Sequence, residues 1–138
     1  MPKGPDPRKE TAARSEVASL LAEGAALFNA RQFWHAHEAW ERAWHALRAG
    51  GESELARYVR GMILATAALE NATRGKESGF KRQMAEALHV LRAHAAARVA
   101  MPAWEEALVA LYLDACRQVD WAAWNARGWA APVLNLRE

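Results

Sequence analysis

The densest chemistry in the chain is one run, Phe33-Trp-His-Ala-His-Glu-Ala-Trp-Glu-Arg-Ala-Trp-His45. Wound as a helix at about 100° per residue, it sorts into distinct faces. His37, Glu41, Trp44 and Arg48 fall on one strip. Trp34 and His45 flank it on one side, with Glu38 just beyond His45; Trp40, Leu47 and Phe33 lie on the other. Ala36, Ala39, Ala43 and Ala46 form a ridge suited to close helix packing, and His35 and Arg42 point away. An imidazole and a carboxylate thus stand one helical turn apart, walled by indole rings.

Three chemistries compete for that strip. In the first, His37 and Glu41 hydrogen-bond each other, Arg48 or Arg60 in a buried polar network, since buried polar groups need partners and such networks fix a unique packing. In the second, His37 and Glu41 are i, i+4 ligands of a divalent metal, with Glu38, His45 or Glu70 as third ligand. The two-histidine zincin pattern fails because the second position is Glu41, and Glu41 to His45 is spaced by four rather than the three of di-iron bundles. In the third, a Trp-walled cleft holding His, Glu and Arg binds a small ligand or does acid/base work.

The opposing wall is expected from the apolar helix that follows. Val59, Ile63, Thr66, Ala67 and Glu70 share one of its faces, and Arg60, Leu64, Ala67 and Asn71 an adjacent one. Glu70 and Asn71 come after a long apolar run, so each needs a partner if buried. There is no Gly-rich phosphate loop, no Gly-x-Ser-x-Gly elbow and no paired-cysteine metal knuckle.

The elements that must position these residues are helical. Helix 1 is expected over about 10–29, with Val17, Leu20, Leu21, Gly24 and Phe28 at amphipathic spacing. Helix 2 runs from Phe33 to Ala49 and stops at Gly50-Gly51. Helix 3, about 54–74, has Ser53 as N-cap and an apolar middle, Gly61 to Leu69, that belongs at the centre of a bundle. Ser78 is the expected cap of helix 4, about 79–98, buried through Phe80, Met84, Leu88, Leu91 and Ala95. Pro102 opens helix 5, read as continuous to about Ala126 through Trp104, Leu108, Leu111, Ala115 and Val119. The expected domain is 10–128, between a flexible Pro-rich tail (1–9) and an irregular tail (129–138). Trp121, Trp124 and Trp129 read as a C-terminal latch, with a dimer contact as the alternative.

Composition agrees. Among 138 residues there are 33 Ala, but only 7 Val, 1 Ile and 3 Thr, which favours helix over strand throughout. The fold class is all-α, a compact antiparallel bundle of about five helices. A net charge of +2 is too mild to argue for nucleic acid. The span from Arg74 to Arg98 is nonetheless basic and that from Met101 to Asn125 acidic, which reads as two solvated faces of opposite sign. The single Cys116 excludes an intrachain disulfide, fits a reducing compartment, and sits with Leu113 and Val119 in a run expected to bury it. No segment approaches the length of a membrane span and the N-terminus lacks a signal-peptide core, so the protein is expected to be cytoplasmic, with no membrane partner.

Two ordered blocks also resemble a known family. Leu27-Phe-Asn-Ala-Arg-Gln-Phe-Trp-His-Ala-His-Glu-Ala-Trp-Glu-Arg-Ala-Trp44 is similar to the Phe-Asn, gap, His-Glu-x-x-Glu-x-x-Trp pattern of the domain of unknown function 309 family, and Arg60-Gly-Met-Ile-Leu-Ala-Thr-Ala-Ala-Leu69 to its second block. The resemblance implies a small all-α bundle and carries the family's pattern onto Phe28, Asn29, His37, Glu38, Glu41, Trp44 and Gly61. Many members have Gln where this chain has Leu64, which would make a pocket there less polar. The resemblance implies no substrate.

The resulting expectation is a small helical domain that binds a small ligand, or holds a buried polar network, at His37, Glu38, Glu41, Trp44, Trp34, Arg60, Glu70 and Asn71. No cofactor is required. The alternatives are a metal-dependent hydrolase using His37 and Glu41, and a homodimeric interaction module built on the C-terminal tryptophans.

Overall fold

The computed structural model describes residues 6–51 and 53–137, the side chains of residues 10 and 11 excepted. All the regular elements are helices: α1 Pro7–Asn29, α2 Phe33–Ala49, α3 Ser53–Thr73, α4 Glu77–Ala93, α5 Pro102–Cys116 and α6 Trp121–Arg127, with a 3-10 turn at Ala95–Ala97. The all-α class is as expected, with six helices rather than five among the described residues.

The first helix starts earlier than expected because Pro7 begins it rather than breaking it. Proline has no N–H to lose at the first helical position, and its φ is already helical. The Asp6 carboxylate caps the end by accepting from Arg8 N at 3.0 Å. Met1 to Pro5, most of the expected tail, lie outside the described residues. The cap of α4 is Lys76 rather than Ser78, and α4 stops at Ala93. The expected fifth helix is two helices. Asp120 starts the second by accepting from Ala123 N at 3.0 Å. That break throws Val119 fully into solvent and leaves Cys116 exposed, correcting the expectation that both belong to a buried stripe.

Successive helices form the main packing pairs: α1 on α2, α2 on α3 and α3 on α4. The alanine ridge of α2 serves this packing, with Ala36, Ala39 and Ala43 fully buried. The aromatic centre is Phe28. Its ring meets Phe33 at 5.3 Å, Trp104 at 5.6 Å and Trp40 at 5.9 Å. Two glycines admit large side chains: a Cβ on Gly24 would strike Trp40, and one on Gly61 would crowd Leu91. Buried Tyr58 donates to Glu105 Oε2 at 2.9 Å, and Arg98 Nε donates to the same oxygen, tying α3 to the start of α5. Burial, then the adjacent Glu105 carboxylate, pushes the Tyr58 phenol well above its ordinary range.

The C-terminal segment is a strap. Asn29 clasps Leu134 twice, Nδ2 donating to its carbonyl at 2.9 Å and Oδ1 accepting from its N–H at 2.8 Å. Residues Ala100 and Leu136 form an antiparallel bridge, flanked by Met101 N to Asn135 O at 2.8 Å and Arg137 N to Val99 O at 2.7 Å. Trp121 and Trp124 are buried within their own chain, and Trp129 stacks on Phe33 at 6.3 Å. The three rings therefore pack against the rest of their own chain, as the latch expectation had it.

Candidate functional site

The expected strip on α2 divides between two cavities. On the α3 side, Trp34 and His37 meet Ala67, Glu70, Asn71 and Arg74, with Gln83 of α4 closing a cleft of about 250 Å³. On the α1 side, His35, Glu38, Glu41, Arg42 and His45 face Glu23 and Leu27 across an open groove of about 440 Å³. His37 Nε2 lies 3.4 Å from Glu41 Oε1, so this contact links the two.

The cleft is built from paired polar groups. Trp34 is half-exposed, and its ring is nearly parallel to the His37 imidazole, 12° apart with centroids at 5.5 Å. Glu70 and Arg74 are one turn apart on α3, and Arg74 Nε donates to Glu70 Oε1 at 3.1 Å. The same guanidinium carbon sits 5.9 Å from the Trp34 ring centre. Asn71 Nδ2 donates to Gln83 Oε1 at 2.5 Å. This contact depends on Gly79, whose added Cβ would fall 2.8 Å from the Asn71 amide nitrogen. The exception is His37 Nδ1, which is buried and has no hydrogen-bond partner.

The groove carries more charge and is more open. Arg42 pairs with Glu23 at 3.3 Å, and His35 with Glu38 at 3.2 Å. Glu41 is half-exposed there, so its carboxylate keeps much of its hydration.

Of the sequence-predicted residues, Trp34, His37, Glu70 and Asn71 come together in the cleft, while Glu38 and Glu41 line the groove. Trp44 lies apart from both, under Arg48 at 4.7 Å and edge-on to His45 at 5.0 Å. Arg60 turns to α4 and pairs with Glu86 at 2.9 Å, rather than joining His37. Among the described residues no three His, Cys, Asp or Glu side chains converge as an ion would require, so the His37 and Glu41 metal pair gains no third ligand. Sequence reasoning missed Arg74 and Gln83. The i, i+4 spacing of Glu70 and Arg74 was a usable signal. Gln83 had none, because its place depends on how α4 pairs with α3.

Less than half of the chain matches a known family model. The family model, described as Domain of unknown function (DUF309), matches residues 21–83. No curated protein and no solved structure matches the chain. Every residue lining the cleft and the groove falls inside the DUF309 match, whereas the strap, α5 and α6 fall outside it. Leu64 does not line the cleft; the amides there come from Asn71 and Gln83.

Proposed function

We propose that the cleft between α2, α3 and α4 binds a small, neutral, planar molecule rich in hydrogen-bonding groups, of the kind represented by a nucleobase or cyclic amide. The observation that carries this reading is His37 Nδ1, a buried polar atom left without a partner beside a half-exposed indole. Such atoms are rare in folded proteins because leaving them unsatisfied costs about 1–3 kcal/mol.

The remaining lining supports the ligand class. Glu70 with Arg74 is charge-compensated, so nothing there strongly favours a free anion or cation. The Asn71 and Gln83 amides offer donors and acceptors in the pattern that a ring amide complements. Trp34 offers a flat apolar face. A cleft of about 250 Å³ lies just below the usual range of ligand sites, which favours a small ring over a nucleotide. The lone thiol, Cys116, is free and exposed, and we place the protein in the reducing cytoplasm.

Titration of the labelled protein with uracil, adenine, urea, acetate and phosphate tests this by NMR. At roughly 0.5 kcal/mol per heavy atom, a bare pyrimidine should bind with a millimolar dissociation constant. It should shift the Trp34 indole and His37 ring signals, and Trp34→Ala should weaken it about tenfold. If acetate or phosphate shifts these signals while both bases leave them unmoved at 10 mM (about ten times that constant), the proposed ligand class is wrong.

A further inference from the structure

Glu41 is half-exposed and lines the α1-side groove, yet its nearest polar contact reaches back to the cleft residue His37. We infer that Glu41 is a positioning residue that holds the His37 proton on Nε2, so that Nδ1 serves the cleft as an acceptor and the fitting ligand must bring an N–H or O–H donor. This deepens the cleft-binding proposal and rests on it.

The Glu41 carboxylate lies 3.4 Å from His37 Nε2, and an ionised carboxylate, which can only accept, draws an N–H to the nitrogen that faces it. In a neutral ring, the group bonded to one nitrogen decides what the other can do. With Nε2 protonated, Nδ1 carries a lone pair. The other polar groups at the cleft do not answer it. From α3, Arg74 Nε is engaged by Glu70, and from α4, Gln83 Oε1 is engaged by Asn71. Among the described residues, His37 Nδ1 is the buried polar side-chain atom of the cleft that nothing satisfies. His37 lines the cleft, and its side chain is 20% exposed.

The preference has a direction. A ring amide with a free N–H satisfies Nδ1, whereas its N-methylated analogue places an apolar group against a buried acceptor. Recognition sites built on a hydrogen bond discriminate strongly against the analogue that lacks it.

The test has two arms. In the first, the histidine ring nitrogens of wild type, Glu41→Gln and Glu41→Lys are read by long-range proton–nitrogen NMR at pH 8. Wild type and Glu41→Gln, which keeps an acceptor oxygen, should show His37 protonated on Nε2. Glu41→Lys, which can only donate there, should move the proton toward Nδ1. A wild-type His37 protonated on Nδ1, or a Glu41→Lys spectrum identical to wild type, would overturn the inference.

In the second arm, uracil and 1,3-dimethyluracil are titrated into wild type and Glu41→Lys. Wild type should prefer uracil by roughly tenfold, and the variant by less than about twofold. Equal binding of the two probes to wild type would refute the donor requirement while leaving the cleft as a binding site. Failure of both probes to shift the Trp34 and His37 signals would count against the cleft reading itself, and the first arm would still decide what Glu41 does to His37.

Discussion

Gly24→Ala separates packing from helix propensity in this bundle. In a helix interior, Gly to Ala usually stabilises by about 1 kcal/mol. Here the new Cβ would lie 2.1 Å from Trp40 Nε1, 2.4 Å from its Cδ1 and 2.7 Å from its Cε2. Trp40 has nowhere to retreat: it is fully buried, stacked on Phe28, and its Nε1 donates to Leu21 O at 3.2 Å. Either α1 and α2 separate or the indole leaves its rotamer and its hydrogen bond. Overpacking costs about 1–3 kcal/mol, and an orphaned buried donor about 1–3 kcal/mol more. After the propensity gain, the net loss should be about 3 kcal/mol, a fall in Tm of roughly 10 °C at this chain length. Gly61→Ala is the internal control. Its Cβ would meet the Cγ and Cδ2 of Leu91 at 2.9 Å and the Leu91 backbone N at 3.2 Å, a milder overlap than at Gly24 with no hydrogen bond to lose, so the loss should be smaller, about 1–2 kcal/mol. Urea unfolding followed by tryptophan fluorescence and circular dichroism gives both values. If Gly24→Ala matches or exceeds wild-type stability, or if Gly61→Ala is the more damaging change, the argument from the α1–α2 contact is refuted.

Two further outcomes follow from the strap and from an interhelical ion pair. Asn29→Ala removes both hydrogen bonds to Leu134, about 1–3 kcal/mol in total, so hydrogen exchange at Leu134, Met101 and Arg137 should quicken by roughly ten- to a hundredfold while the α3 amides change little; unchanged exchange at those three amides would show that the clasp does not hold the strap. The hydrogen bond from His94, at 3.1 Å, holds the Glu54 carboxyl below its ordinary value of 4.5, so this contact stabilises the fold above that pH and is lost as pH falls through the lowered value. Glu54→Gln should therefore flatten the acid limb of urea midpoint against pH below about 4.5 and nowhere else; a wild-type acid limb in the variant would show that this contact does not contribute.

The sequence revealed elements wherever local signals agreed. The α2 bounds were legible from Gly50-Gly51 and the periodicity, and Phe33–Ala49 is the observed helix. The errors arose where one residue type has two meanings. Pro7 can break or begin a helix, and Asp6 just before it favours beginning. Asp120 can be a solvated residue or a cap. Reading it as solvated merged α5 with α6 and put Val119 and Cys116 on the wrong side. The cleft was half legible for a different reason. A helical projection orders Trp34, His37 and Glu41 on their own helix, but cannot place Gln83, which reaches the cleft only through the α3–α4 pairing.

The residues that carry the sequence resemblance divide by what the fold requires. Phe28 is the centre of the aromatic core, Asn29 fastens the strap, and Gly61 lets α3 approach Leu91. These three have packing or backbone work, and a change at any of them should register first as lost stability. His37 and Glu41 have no such work. Filling the site of His37 with an apolar side chain of similar size would remove an unsatisfied buried atom, and on stability alone that exchange should be neutral or favourable. Glu41 could be neutral without loss to a core it does not enter. A residue whose fold-level substitute is better than itself is accounted for by something other than the fold. In this chain those two residues touch each other where the cleft meets the groove, and that contact is where binding should be sought.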